Sequence, residues 1–157
     1  MPPEIAASLG GVTYDPCIAL LALTQKASAI PVPGGIQFPA GPIRWMADNQ
    51  QKGISPEATA LTIHARATFS EANWEKADRT IAEQLLPVAA RYIQGEIAGY
   101  QVHRWRYSQP REVYPDRCLV VPGEHPLIFA GDAFGGPNIE GAAHSGMWAA
   151  NRLLSWS

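Results

Sequence analysis

The chain has 157 residues, enough for one domain with a real hydrophobic core, and 46% of them are hydrophobic. Charged residues make up 17%, below the usual quarter or so, which implies a surface that is unusually neutral or covered by contacts. A net charge of −2 leaves no basic footprint for nucleic acid, and no apolar run reaches the length of a membrane span. The start, MPPEIAASLGG, lacks the basic and apolar regions of a secretory signal. Cys17 and Cys118 are far apart and outside any CxxC, so the sequence reads as a reduced, cytoplasmic protein without a metal site. His64, His103, His125 and His144 also lack ligand spacing.

In chain order, Val12–Leu23 reads as a buried strand, with Pro16 restricting it to an edge or a bulge. Ala29–Gly35 is a turn-rich link. Gly35–Phe38 and Pro42–Ala47 then form a hairpin around Pro39-Ala40-Gly41. Leu61–Phe69 gives the cleanest alternation, with Leu61, Ile63, Ala65, Ala67 and Phe69 on one face. This predicts an antiparallel strand with one packed side. Trp74, Ala77, Ile81, Leu85, Val88 and Tyr92 share one helical face; Ser70 is the expected N-cap and Gln94-Gly95 the expected stop. Pro87 predicts a kink or two abutting helices.

Gln101–Ser108 returns to strand alternation, opposing Val102, Arg104 and Arg106 to His103, Trp105 and Tyr107. Pro126–Ala130 is apolar throughout, as in a strand buried on both faces of a parallel sheet. The order of elements predicts an α+β fold with a mixed, largely antiparallel sheet flanked by helices.

The segment with most chemistry in it is Gly131–Asn151, GDAFGGPNIEGAAHSGMWAAN. Asp132 falls at the end of a strand, where open sheets place ligands. Gly135-Gly136-Pro137 turns the chain, and a helix begins near Asn138 with its free N–H groups turned back toward the strand end. Gly141, Ser145 and Ala149 form one row of small residues on it; Ala142, Gly146 and Ala150 form the next. Glycine inside a helix costs about 1 kcal/mol relative to alanine, so two of them imply a steric reason. That reason is either close approach of a ligand or tight packing on the protein's own sheet.

The pattern Gly131-Asp132, Ile139-Glu140-Gly141-Ala142, Ser145-Gly146 and Ala149-Ala150 resembles the C-terminal motif of flavin-dependent amine oxidases. Tyr14–Leu21 (YDPCIALL), Pro42–Asn49 (PIRWMADN), Leu61–Glu75 (LTIHARATFSEANWE) and His103–Pro110 (HRWRYSQP) resemble the renalase-like branch of that superfamily. The resemblance covers most of the chain. It implies FAD as cofactor, with Gly131 and Asp132 at the ribityl chain and Ile139, Glu140, Gly141 and Ala142 facing the pyrimidine end of the ring. It also implies that Trp45, Trp105 and Tyr107 line the substrate side, although aromatic residues in strands are commonly core residues. Trp105 is the favoured one of the three. No acid or base is assigned; His64 and His103 are candidates, against a hydrogen-bonded structural role.

The family's strand–GxGxxG–helix has no counterpart here. The sequence therefore reads as residues 1–125 of a substrate domain followed by residues 126–157, the last strand and helix of an FAD-binding domain whose Rossmann half is absent. The function so implied is hydride transfer to FAD from a small amine or a reduced nicotinamide-like molecule, with the chain by itself inactive and not retaining FAD. Its expected partners are the missing dinucleotide-binding half or a second copy. A non-catalytic binding or assembly module is the alternative. A hydrolase would need a nucleophile motif such as GxSxG, which the sequence lacks.

Overall fold

A computed structural model describes residues 3–156. Met1, Pro2 and Ser157, at the outer ends of the two expected segments, lie outside the described residues. The elements in chain order are α1 (Pro3–Gly10), β1 (Tyr14–Thr24), β2 (Gly35–Gln37), β3 (Ile43–Asp48), β4 (Thr59–Ala65), α2 (Ala67–Asn73) and α3 (Asp78–Ala89). A 3-10 turn (Ala90–Tyr92) leads to β5 (Ile97–Pro110), β6 (Leu119–Val121), β7 (Leu127–Phe129), α4 (Asp132–Gly135) and α5 (Ile139–Leu154). The fold is α+β, with a largely antiparallel five-stranded sheet in the order β2-β3-β4-β1-β5 and a separate two-stranded sheet, β6-β7.

The chain forms two compact units, Pro16–Arg106 and Met1–Asp15 with Tyr107–Ser157. The boundary expected at 125/126 lies in the loop between β6 and β7.

In the unit Pro16–Arg106, alternation decides which side of the sheet is buried. Ile18, Leu20 and Ala22 of β1 and Leu61, Ile63 and Ala65 of β4 join Ile81, Ala82, Leu85 and Ala89 of α3 in one core. Burying each of the larger side chains contributes about 2 kcal/mol. Ile43 and Met46 reach the same core from three residues apart because the β3–β4 register shifts between Ile43 and Trp45. The hairpin around Gly41 forms as expected, with Gly41 at φ +88°. Asp48, fully buried, accepts from the Ser28 hydroxyl (2.6 Å) and from the Gln50 and Gln51 amides, which shapes the loop after β3.

Four local expectations change. β1 lies inside the sheet, not at an edge; Pro16 is tolerated because β4 pairs only with Ala19–Thr24. The strand expected over Leu61–Phe69 ends at Ala65, and Ala67, Thr68 and Phe69 are helical. Apolar residues two apart in a short run fit either period, and the packing of α2 selects the helix. Ser70 is consequently not a cap. It sits inside α2, fully buried, where its hydroxyl accepts from the Ile18 amide (2.9 Å) and donates to the Arg66 carbonyl (3.0 Å). The break between two helices occurs at residues 74–77, while α3 runs through Pro87 and ends two residues later. Arg104 closes that break by donating to the Trp74 and Lys76 carbonyls and to Asp78. The α1 helix has no counterpart among the expected elements.

In the other unit the correction is larger. β7 is not a strand buried on both faces of a parallel sheet. It spans three residues, pairs antiparallel with β6, and leaves Leu127 half exposed. A short apolar run without a second flanking strand has nothing to cover its outer edge.

Ser70→Ala tests the core junction. Removing the hydroxyl strands the buried Ile18 amide, so unfolding stability falls by about 1–3 kcal/mol, measured by urea denaturation, without loss of secondary structure.

Candidate functional site

The turn after β7 is built by small residues. Gly131 adopts φ +148°, open only to glycine, and its amide donates to the Ser145 hydroxyl (2.9 Å). Ser145, fully buried in α5, in turn donates to the Arg117 carbonyl (2.6 Å). A Cβ on Gly135 would collide with the Gly141 carbonyl, and one on Gly141 would lie 2.5 Å from the Gly136 carbonyl oxygen. The Gly141–Ser145 row is thus filled by the protein's own α4. The second row differs: Ala142 is half-buried, Gly146 and Ala150 are exposed, and a Cβ at Gly146 would meet nothing within 4 Å. Of the two steric reasons, internal packing accounts for the first row and leaves the second uncovered.

α5 begins beside Asn138, where the sequence places a helix start, and Asn138 caps it, its Oδ1 accepting from the Gly141 amide (2.6 Å). Glu140 occupies the first turn, where a negative charge suits the helix dipole. Ile139 is 90% exposed. The short helix α4, which follows Gly131 directly, is an addition to the expected turn.

Asp132 Oδ1 accepts two hydrogen bonds at 2.9 Å, from the Tyr14 hydroxyl and from the Ala133 amide. Tyr14 meets Tyr107 edge-on, with ring centroids 6.0 Å apart and an interplanar angle of 82°. Tyr14, Tyr107 and Asp132 therefore form one group, and Tyr107 is itself 74% exposed. Burial, then the hydrogen bond to Asp132 and its charge, push the Tyr14 phenol above its ordinary value of 10.0. Tyr14 was not singled out in the sequence, since 118 residues separate it from Asp132.

The remaining aromatic candidates lie in the unit Pro16–Arg106, on the sheet face opposite the core. Trp45 stands across from His64 in the β3–β4 register, with ring centroids 5.4 Å apart, and Lys52 Nζ lies 5.4 Å from the Trp45 ring centre. Ala19 pairs with His64 on the other side. On β5, Val102 packs against the core and Arg104 binds the α2–α3 link, so alternation turns His103 and Trp105 to the open face. Their rings meet at 4.4 Å, and Trp105 is 52% exposed. A cleft of about 450 Å3 on this unit is lined by Leu21, Leu23, Asn49, Ala60, Tyr100 and Gln101, among others, with no charged side chain. Its size and mainly apolar lining are those of a small-molecule site.

Burial, with the Arg44 and Lys52 charges adding to it, lowers the His64 pKa below the ordinary 6.5. Among the described residues no three His, Cys, Asp or Glu side chains gather as metal ligands, and no disulfide joins Cys17 to Cys118. No helix among the described residues is long and apolar enough to cross a membrane.

Two titrations test these environments. Asp132→Asn removes the carboxylate charge beside Tyr14, so the phenol midpoint, followed by ultraviolet absorbance, moves down toward its ordinary value. For His64, the unfolded chain binds a proton more readily than the folded one. Stability therefore falls as pH drops below about 6.5, and His64→Gln flattens that slope in pH-dependent urea melts.

Compared with protein-family models and with curated proteins, the chain matches none, so the site is read from its own residues.

Proposed function

We propose that the chain is the substrate-side and C-terminal portion of a flavin-dependent oxidoreductase of the amine-oxidase, renalase-like kind. The observation that carries this reading is the Gly131–Ala142 turn. It combines a fixed carboxylate, a capped helix start and an uncovered row of small residues, in the sequence pattern that resembles the flavin-facing motif.

The residues fit such a group chemically. An ionised Asp132 is an acceptor, suited to a ribityl hydroxyl. The start of α5 at Ile139 and Glu140 offers backbone N–H groups and a partial positive charge to an electron-rich ring carbonyl, the Gly141 and Ala142 amides being bonded to Asn138. The open row at Ala142 and Gly146 leaves room for a flat surface. Trp45 and Trp105, on a sheet face without its own helix layer, supply rings that a small amine or reduced nicotinamide-like substrate can stack on. FAD, when bound, supplies the hydride acceptor; the side chains bind and orient.

The chain is proposed to hold FAD weakly by itself and to need a dinucleotide-binding partner, or a second copy, for activity. Exposed apolar residues support a partner: Ile139, Met147, Trp148 and Leu153 of α5 and Leu127 of β7 all face solvent. The same exposed residues favour one other reading, a binding or assembly module without redox activity.

FAD titration of the purified chain, followed by flavin fluorescence, separates them. The oxidoreductase reading expects weak, saturable binding that Asp132→Ala reduces about tenfold, the effect of losing one hydrogen bond to a charged group. FAD purifying with the chain at one equivalent would overturn the need for a partner. No binding, or binding indifferent to Asp132, would leave the assembly module.

A further inference from the structure

We infer that Tyr14 is a positioning residue, fixing the Asp132 carboxylate so that Oδ2 is the oxygen offered to a hydroxyl of a polyol-bearing ligand. The inference rests on the flavin reading of this turn and names the residue that makes it selective. Two donors, the Tyr14 phenol and the Ala133 amide, converge on Oδ1 at 2.9 Å each. An aspartate χ2 torsion is broad, so a carboxylate without such anchoring turns about it and its second oxygen takes no fixed direction. The Ala133 amide alone belongs to the neighbouring residue and moves with it. Tyr14 comes from β1, a separate element, and ties the carboxylate to a fixed external point.

The anchor is itself supported. Tyr14 is half-buried and braced edge-on by Tyr107. Its phenol keeps its proton through the neutral range and so remains a donor. With Oδ1 doubly engaged, the other oxygen is left to accept, and an ionised carboxylate accepts only. The partner it suits is a hydroxyl donor. A phosphate or carboxylate group would be repelled there.

Two flavins differing in this feature give the test. Riboflavin carries the ribityl hydroxyls and lumiflavin carries a methyl group in their place. The full chain is titrated with each and followed by flavin fluorescence, for wild type, Tyr14→Phe and Asp132→Ala. The expected result is a wild-type preference for riboflavin that Tyr14→Phe lowers about tenfold, with lumiflavin affinity unchanged. A purely structural role for Tyr14 would instead weaken both flavins equally, which overturns the inference. Equal wild-type affinity for the two flavins also overturns it, without requiring any variant to fold. In either case an Asp132→Ala effect on flavin affinity leaves the oxidoreductase reading standing. Failure of wild type to bind either flavin removes that reading, and this inference with it.

Discussion

Each compact unit depends on one fully buried serine whose hydroxyl bonds a helix to backbone outside it. In one unit, Ser70 of α2 accepts from the β1 amide of Ile18 and donates within its own helix to Arg66. In the other, Ser145 of α5 accepts from Gly131 and donates to Arg117. A serine hydroxyl can do both at once, and a buried amide or carbonyl left without a partner is costly. The second serine matters more for function. It sets the position of Gly131, whose conformation in turn places Asp132 at the first residue of α4.

Glycine does the complementary work at the same place. Gly135 and Gly141 approach so closely that neither admits a side chain. This explains why α5 tolerates a glycine in its first turn despite the helical cost. The small-residue pattern is therefore two features overlaid. One row joins α5 to α4; the other, displaced by one residue, is not filled by the described residues. A motif read only as ligand-facing would miss that half of it maintains the turn.

Much of the fold was legible because local period and burial agree. β4 alternates, and Leu61, Ile63 and Ala65 are buried; α3 repeats at three and four, and Ile81 and Leu85 are buried. Legibility failed where one pattern served two periods. Leu61–Phe69 continues its alternation past Ala65, yet its last three residues are helical. Pro126–Ala130 has the composition of a buried strand, but burial depends on neighbours that composition does not encode, and β7 has only β6. In the site, the helix start near Asn138 and the Gly-Gly turn were visible as local chemistry. The Tyr14–Asp132 bond was not, because nothing near either residue announces a partner 118 positions away.

The side chains of the two units, each taken by itself, also limit what the chain does unaided. Aromatic rings, a histidine held toward its neutral form, an anchored carboxylate and an uncharged cleft can stack, accept hydrogen bonds and exclude water. None of them accepts a hydride, and no disulfide joins Cys17 to Cys118. Redox chemistry would have to come from a bound group, with the protein supplying orientation and electrostatics. A carboxylate that accepts only, beside a helix start that favours electron-rich atoms, suits a ligand with hydroxyls next to ring carbonyls. The flavin proposed for this turn is one ligand that meets both needs. The low charge fraction fits as well, since a surface that closes over a neutral ring or an apolar partner has little use for ionised groups.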